Sequence, residues 1–215
     1  VNLSGLEHNP GFKLSLGFIR KAVFAVFYGD LLMNVANQVR PYEVTAGDTD
    51  KAIEDCMDFL LSEMNEGRGM NHKSMIANFE RIIDRFKSIP VAGEQKVRVG
   101  VVGEIYVKYS PLGNNNLEQF LLSEGAEPVV PGLADFVIFK IFNRDVDVDI
   151  YGGKWIKQAV CRVFAGYIKK KQRAMIDALK RSGRFRAPGD FDELHSYIKG
   201  YLGDGNKMGE GWLLT

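Results

Sequence analysis

Apolar residues recur every three or four positions through the first part of the chain, which is the spacing of one helix face. The pattern predicts three helices, over residues 12–40, 48–67 and 70–88. Pro41 ends the first, because the residue before a proline is pushed out of the helical region. Gly67 and Pro90 are the corresponding stops for the second and the third helix. We therefore expect residues 1–95 to form a helical segment.

The period changes after this segment. Residues 96–103, KVRVGVVG, are short, β-branched and apolar in their second half, which predicts a strand buried on both faces. Residues 114–123 predict a short helix, and residues 127–130 a second short strand. Strand, helix and strand at this spacing form a βαβ unit, whose strands should be parallel and joined by a right-handed crossover.

Helical spacing returns after Gly132, with helices predicted over residues 133–142, 154–181 and 190–202. The longest of them has apolar residues that the period places inward: Ile156, Val160, Val163, Phe164, Tyr167, Met175 and Leu179.

The predicted fold class is α/β, with a Rossmann- or flavodoxin-like parallel βαβ unit embedded in a largely helical domain. Two strands do not make a stable parallel sheet by themselves, so either further strands escape the pattern or their partners lie outside this chain. We divide the chain into a helical segment, 1–95, and a partial α/β lobe with a long basic helix, 96–215.

Length and composition restrict the class of protein. The chain of 215 residues has a net charge of +1 and no apolar run of membrane-spanning length, so we expect a soluble, cytoplasmic protein without a membrane partner. Its beginning lacks the layout of a signal peptide, and both ends look cut from a longer chain. Cys56 and Cys161 belong to no CxxC motif, and a buried core position is the expectation for each.

Charge is unevenly distributed along the chain. Residues 43–66 are acidic with Lys51 as their single base, and residues 154–186 are basic with Asp177 as their single acid. The basic helix is a candidate for binding a polyanion such as nucleic acid, with a strong salt dependence as its signature. No nucleic-acid motif accompanies it, and a solvated face or one docked on an acidic neighbour is the favoured interpretation.

The segment between the first strand and the following helix contains the strongest candidate site. In open α/β sheets, ligands bind beyond the carboxyl ends of strands, where helix N-termini offer free N–H groups. Asn114 or Asn115 is a suitable N-cap, with Asn116 beside them. Lys108 adds a positive charge, and Glu104 is a candidate base or orienting group. The alternative is structural, with the asparagines as caps and the neighbouring tyrosines packed.

Two further motifs have weaker interpretations. The segment GDGNKMGEG at 203–211 follows a helix and lacks GK[ST], so a glycine-rich turn is favoured over a phosphate loop. Gly209 and Glu210 remain secondary candidates for ligand contact. The segment DVDVDIYGG at 145–153 has Ile150 where a calcium loop needs glycine, which predicts an exposed acidic loop and no metal site.

Several stretches together resemble one known family. They are EHNPGFKL, VFYGDLLMNVANQVRPYE, VGVVGEIYVKYSPLGNNNLEQFLLSEGAEPVVPGL and GNKMGEGWLLT, in the expected order. The chain resembles an internal piece of the CoA-substrate-specific enzyme activase proteins, which are related to 2-hydroxyglutaryl-CoA (2-hydroxyacyl-CoA) dehydratases. Only the middle, around residues 142–154, has no counterpart.

The resemblance implies a parent that joins an ATPase activator to Rossmann- or flavodoxin-type dehydratase modules. ATP hydrolysis there drives electrons between [4Fe–4S] clusters for dehydration or reduction of acyl-CoA esters. This chain lacks the activator's nucleotide motifs and the paired cysteines that relatives carry after the GEGWLLT-like run. We therefore expect no cofactor in this fragment and no turnover by it alone.

Two functions from different classes follow. The leading one is a dehydratase-like domain that supplies part of an acyl-CoA or cluster cleft, with the remaining domains of the parent as partners. The alternative is a non-catalytic scaffold, whose acidic and basic segments hold the activator against the reductase lobe.

Overall fold

The computed structural model describes residues 15–201 and is mostly helical. The first three helices are α1 (Leu16–Val39), α2 (Asp48–Asn65) and α3 (His72–Lys87), close to the predicted bounds. The Ser15 hydroxyl caps α1 by accepting the Phe18 N–H at 3.1 Å. Asn71 and Ser74 form a reciprocal capping box at the start of α3. The helical character of this part is confirmed.

A two-stranded parallel sheet follows, formed by β1 (Arg98–Gly100) and β2 (Glu127–Val129). Arg98 pairs with Glu127 and Gly100 with Val129, so the predicted parallel pairing is confirmed. Three short helices connect the strands: α4 (Ile105–Tyr109), α5 (Pro111–Asn114) and α6 (Leu117–Ser123). A parallel βαβ unit is therefore present, while its Rossmann- or flavodoxin-like character stays a prediction.

The prediction that the first strand is buried on both faces is wrong. Arg98 and Gly100 are exposed, and only Val101, just beyond β1, is buried. Within residues 15–201 the sheet has two strands, so one edge of β1 faces solvent. A small second core packs against the sheet, and it consists of Val101, Leu121, Ala126 and Val130.

Three helices complete the described chain: α7 (Leu133–Tyr151), α8 (Trp155–Ser182) and α9 (Phe191–Ile198). The exposed acidic loop predicted at 145–153 is instead mostly helical, because α7 continues to Tyr151. Asp145 accepts a hydrogen bond from Arg162 of α8 at 2.9 Å, and Asp149 accepts one from Gln158 at 2.6 Å. These contacts stabilise the last turns of α7 against α8.

The main core lies between α1, α2, α3, α7, α8 and α9. It contains residues from both sides of the predicted boundary at 95, for example Phe79 and Leu179. No helix within residues 15–201 is long and apolar enough to span a membrane.

The predicted inward face of α8 is only half correct. Met175 and Leu179 are buried, as predicted. The prediction is wrong for the first half of the helix, where Ile156, Val160, Val163, Phe164 and Tyr167 are exposed. Helical period identifies which residues share a face, but it does not show whether a neighbour covers that face.

Candidate functional site

The predicted site segment, 104–116, forms α4 and α5 instead of an open loop. Glu104 is exposed at the N-cap position of α4 and makes no side-chain cap hydrogen bond there. Lys108 points inward and has 2 % of its surface exposed. Its ammonium lies 5.4 Å from the centroid of the Tyr109 ring, and its charge favours the ionised form of Asp135. Lys108 therefore faces the interior, and Glu104 faces solvent.

The three asparagines have structural roles in the turn between α5 and α6. Asn116, not Asn114 or Asn115, occupies the N-cap position of α6. The Asn114 side chain nevertheless accepts the Leu117 N–H at 3.2 Å and donates to the Val107 carbonyl at 2.9 Å. Asn115 and Asn116 have φ of 54° and 56°, a left-handed conformation that asparagine tolerates better than most residues. The turn itself thus accounts for the run of asparagines.

A cleft of about 340 Å³ lies elsewhere, between α1, β2 and the segment that joins α8 to α9. Polar side chains of α1, both strands and the α8–α9 segment line it. Apolar groups also contribute to the lining, including Met33, Val130, Met175 and Pro188. None of Glu104, Lys108, Asn114, Asn115 and Asn116 belongs to its lining, so the structure separates the predicted site from the cleft.

Two buried carboxylates, Asp30 and Asp135, line the cleft. Asp30 accepts the backbone N–H groups of Leu133 and Ala134, each at 2.8 Å, and so caps the start of α7. Asp135 accepts a hydrogen bond from the Gln172 side chain. Burial raises the pKa of Asp30 to about 6. Burial, and secondarily the charge of Asp30, raises the pKa of Asp135 to about 7.

Two arginines line the cleft. Arg98 is exposed on β1. Arg186 pairs with Glu127, which has 1 % of its side-chain surface exposed and also accepts a hydrogen bond from the Tyr42 hydroxyl at 2.8 Å. Gln38 fixes the backbone at Arg186, accepting its N–H at 2.8 Å and donating to its carbonyl at 3.0 Å. The cleft thus combines an exposed arginine with carboxylates whose raised pKa values suit proton exchange near neutral pH.

Sequence reasoning missed the cleft, although α1 carries a signal for it. Asp30, Asn34, Asn37 and Gln38 recur at helical spacing in the mainly buried second half of α1, and all four line the cleft. A polar row within a buried stretch of helix indicates a face that meets polar partners or a ligand. The apolar period of the same stretch predicts the helix but gives no sign of this row.

Four of the eight bases of the basic helix α8 have acidic partners, among them Arg181 with Glu80. Arg162 contacts Asp145, and Lys169 and Arg173 both contact Asp192 of α9. Lys171 is buried, with its ammonium 4.2 Å from the centroid of the Phe24 ring. Burial lowers the pKa of Lys171. This pairing favours a face that is neutralised within the protein over one that collects a polyanion.

Residues 15–201 contain no group of three His, Cys, Asp or Glu side chains arranged to hold a metal ion. Cys56 is buried in α2, as expected, while Cys161 of α8 is half-buried, and both thiols are free. Burial raises the pKa of the Cys56 thiol, which disfavours the thiolate that a metal would need. Gly209 and Glu210 lie outside the described residues.

Comparisons of this chain with family models, with curated proteins and with solved structures gave no match.

Proposed function

We propose that this chain is a dehydratase-like domain of an ATP-dependent activase and 2-hydroxyacyl-CoA dehydratase system. In this proposal it supplies part of an acyl-CoA or iron–sulfur cluster cleft and is not catalytic alone. The ordered resemblance of its sequence motifs supports the proposal, together with a parallel βαβ unit and a cleft beside it. The parent would be a lyase or an acyl-CoA reductase system, located in the cytoplasm.

The mixed polar and apolar lining of the cleft is the observation that carries the proposal. Arg98 lines the cleft and offers a cationic group to the phosphates of a coenzyme, while Arg186 beside it is held by Glu127. The apolar groups, among them Met33 and Met175, offer contacts to an uncharged acyl and pantetheine arm. A volume of about 340 Å³ is near the lower end for small-molecule sites, so the arm would enter the cleft and the nucleotide would stay outside.

The described residues do not fit an iron–sulfur cluster. Cys56 and Cys161 lie on different helices, and a cluster requires several thiolates around one point. In this proposal the cluster ligands and the ATP site therefore belong to other parts of the parent. The residues of this chain bind and orient the ester, with Asp135 placed to exchange a proton near neutral pH.

The test is calorimetric titration of the chain with CoA and a short acyl-CoA, at low and moderate salt. We expect saturable binding, weakened at least about tenfold by Arg98→Ala and further by added salt. Asn115→Gly preserves the left-handed turn and should leave binding unchanged, and Lys87→Ala on α3 serves as a matched control for loss of a surface cation. Binding that is lost with Asn115→Gly but kept with Arg98→Ala would move the site to the α5–α6 turn. Absence of binding to the folded chain would contradict the proposed cleft.

The docking function is the second candidate, and the separation of an acidic segment from a basic one along the chain favours it. In that function the chain holds an activator module against a reductase module through its basic helix. Reversal of the exposed Lys170 should weaken association with the activator while leaving CoA binding unchanged. The buried Lys171 is unsuitable for such a test, because its substitution disturbs the core.

A further inference from the structure

The first half of α8 has the apolar composition of an interior face but is open to solvent. Ile156, Val160, Val163, Phe164 and Tyr167 follow helical spacing and define what we call the α8 stripe. Val163 has 76 % of its surface exposed. The same face continues into Ala174 and Ala178, which are buried in the main core. Contiguous exposed apolar residues of this kind mark interaction surfaces.

Two exposed lysines flank the α8 stripe. Lys157 and Lys170 are exposed next to the stripe, while Arg162 and Lys169 are neutralised by Asp145 and Asp192. Two α8 stripes facing each other would therefore bring lysines together, and like charges oppose such a contact. The complementary surface must combine apolar side chains with acids.

The outer face of α2 has this composition. Glu54, Met57, Asp58 and Leu61 follow helical spacing and are all exposed, with 44 % of Met57 and 52 % of Leu61 accessible. The opposite face of α2 is buried in the main core through Ala52, Cys56 and Leu60. Its acids match the lysines beside the α8 stripe, and its two apolar residues match the stripe itself.

The two surfaces have to meet between molecules. The inner face of α2 and the second half of α8 are both buried in the main core, so neither helix can reach the other without opening that core. We infer that a second copy of this chain places the outer face of its α2 on the α8 stripe, and that the two copies exchange this contact in a two-fold dimer. The inference is independent of any ligand in the cleft.

Sedimentation velocity of the 215-residue chain over a range of concentrations tests the inference. We expect a reversible dimer that weakens as salt rises. Val163→Glu should raise the dimer dissociation constant at least about tenfold, because it places a carboxylate within the apolar contact. Lys73→Glu/Lys87→Glu reverses two exposed lysines of α3 and is the matched control, which should dimerise normally.

Complementary charge reversal identifies the surfaces. Lys157→Glu/Lys170→Glu should abolish dimers, and so should Glu54→Lys/Asp58→Lys, since each variant then opposes like charges in both contacts. An equimolar mixture should restore a heterodimer, because each contact then joins opposite charges again. Circular dichroism confirms that each variant is folded.

Three results would overturn the inference. One is a wild-type chain that stays monomeric at every concentration, which would mean that residues outside 15–201 or another protein cover the α8 stripe. Another is a dimer that neither charge-reversed variant weakens. The third is a mixture of the two variants that stays monomeric, since this would show that α2 and α8 do not face each other.

Discussion

Oδ2 of Asp30 accepts the backbone N–H of Ala134 at 2.8 Å, joining residues that are far apart in the sequence. The same carboxylate accepts the Leu133 N–H at 2.8 Å, so a side chain from the middle of α1 caps α7. Gly132 permits this approach, because a Cβ at that position would lie 2.8 Å from Asp30 Oδ2. The contact fixes the end of the βαβ unit to the main helical core, and Asp30, Gly132 and Ala134 all line the cleft.

Removing this cap should destabilise the protein. Asp30→Ala leaves the buried N–H of Ala134 and the half-buried N–H of Leu133 without acceptors, and we expect a loss of about 2–3 kcal/mol in the free energy of unfolding. Asp30→Asn should cost less, because one amide oxygen can still accept one of these groups. Urea denaturation at pH 7 measures the change. The control is Asp50→Ala at an exposed position, which should lower the free energy of unfolding by less than about 1 kcal/mol. A loss below about 0.5 kcal/mol for Asp30→Ala would contradict the capping role.

Asp135 should make stability depend on pH near neutrality. Its folded-state pKa is raised to about 7, so the folded protein binds a proton that the unfolded chain has already lost. This contribution to stability is fully present below the unfolded pKa near 4 and is lost as pH rises through about 7. The raised pKa of Asp30, about 6, acts in the same direction.

Asp135→Asn separates the contribution of Asp135 to the pH dependence of stability from that of the other titrating groups. The amide oxygen can still accept the Gln172 hydrogen bond but carries no charge. We expect the stability of the variant relative to wild type to rise by up to about 1.4 kcal/mol for each pH unit between 5 and 7. Urea denaturation from pH 5 to 8 measures this difference. A difference that is constant with pH would show that Asp135 does not titrate in this range.

The sequence predicts secondary structure better than it predicts tertiary contacts. The helical period and the change of period after Pro90 identify the elements, and the βαβ spacing correctly predicts parallel strands. The same patterns cannot show that Lys108 turns inward towards Asp135, because burial of a lysine depends on distant partners. The acids at 145–149 have the local pattern of an exposed loop. They are helical in the structure because contacts with α8 stabilise this part of α7, and the local pattern does not show such contacts.

The candidate site was predictable only in part. The run of asparagines correctly indicates a turn, but two left-handed residues explain it without a ligand. The cleft depends on α1, β2 and the segment after α8 coming together, which no local pattern encodes. The polar row from Asp30 to Gln38 is the one local sign of it.

The α5–α6 turn should depend on backbone conformation more than on side-chain chemistry. Asn115→Gly should change the free energy of unfolding by less than about 0.5 kcal/mol, because glycine adopts the left-handed region freely. Asn115→Val should cost about 1–2 kcal/mol, since a β-branched residue is strained there. Thermal denaturation followed by circular dichroism compares the two. Equal losses in both variants would point to a role of the asparagine side chain itself.

Lys171 should tolerate loss of its charge but not its reversal. Its ammonium lies 4.2 Å from the centroid of the Phe24 ring and 4.1 Å from that of Tyr167, a favourable contact that offsets its burial. Lys171→Met fills the same volume without a charge, so we expect a change within about 1 kcal/mol. Lys171→Glu places a carboxylate against the electron-rich ring faces in a buried site, and we expect a loss of about 3 kcal/mol or more.

The exposed Lys180 on the same helix provides matched controls for both changes. Lys180→Met and Lys180→Glu should each change stability by less than about 1 kcal/mol, because the position is exposed and the helix dipole acts on a surface charge in the last turn by no more than about 1 kcal/mol. Urea denaturation of the four variants at low protein concentration keeps any dimer from contributing. If Lys171→Glu costs no more than Lys180→Glu, the second half of α8 does not pack on Phe24 of α1 as the structure shows. A dislodged α8 would also remove the surface on which the proposed dimer depends.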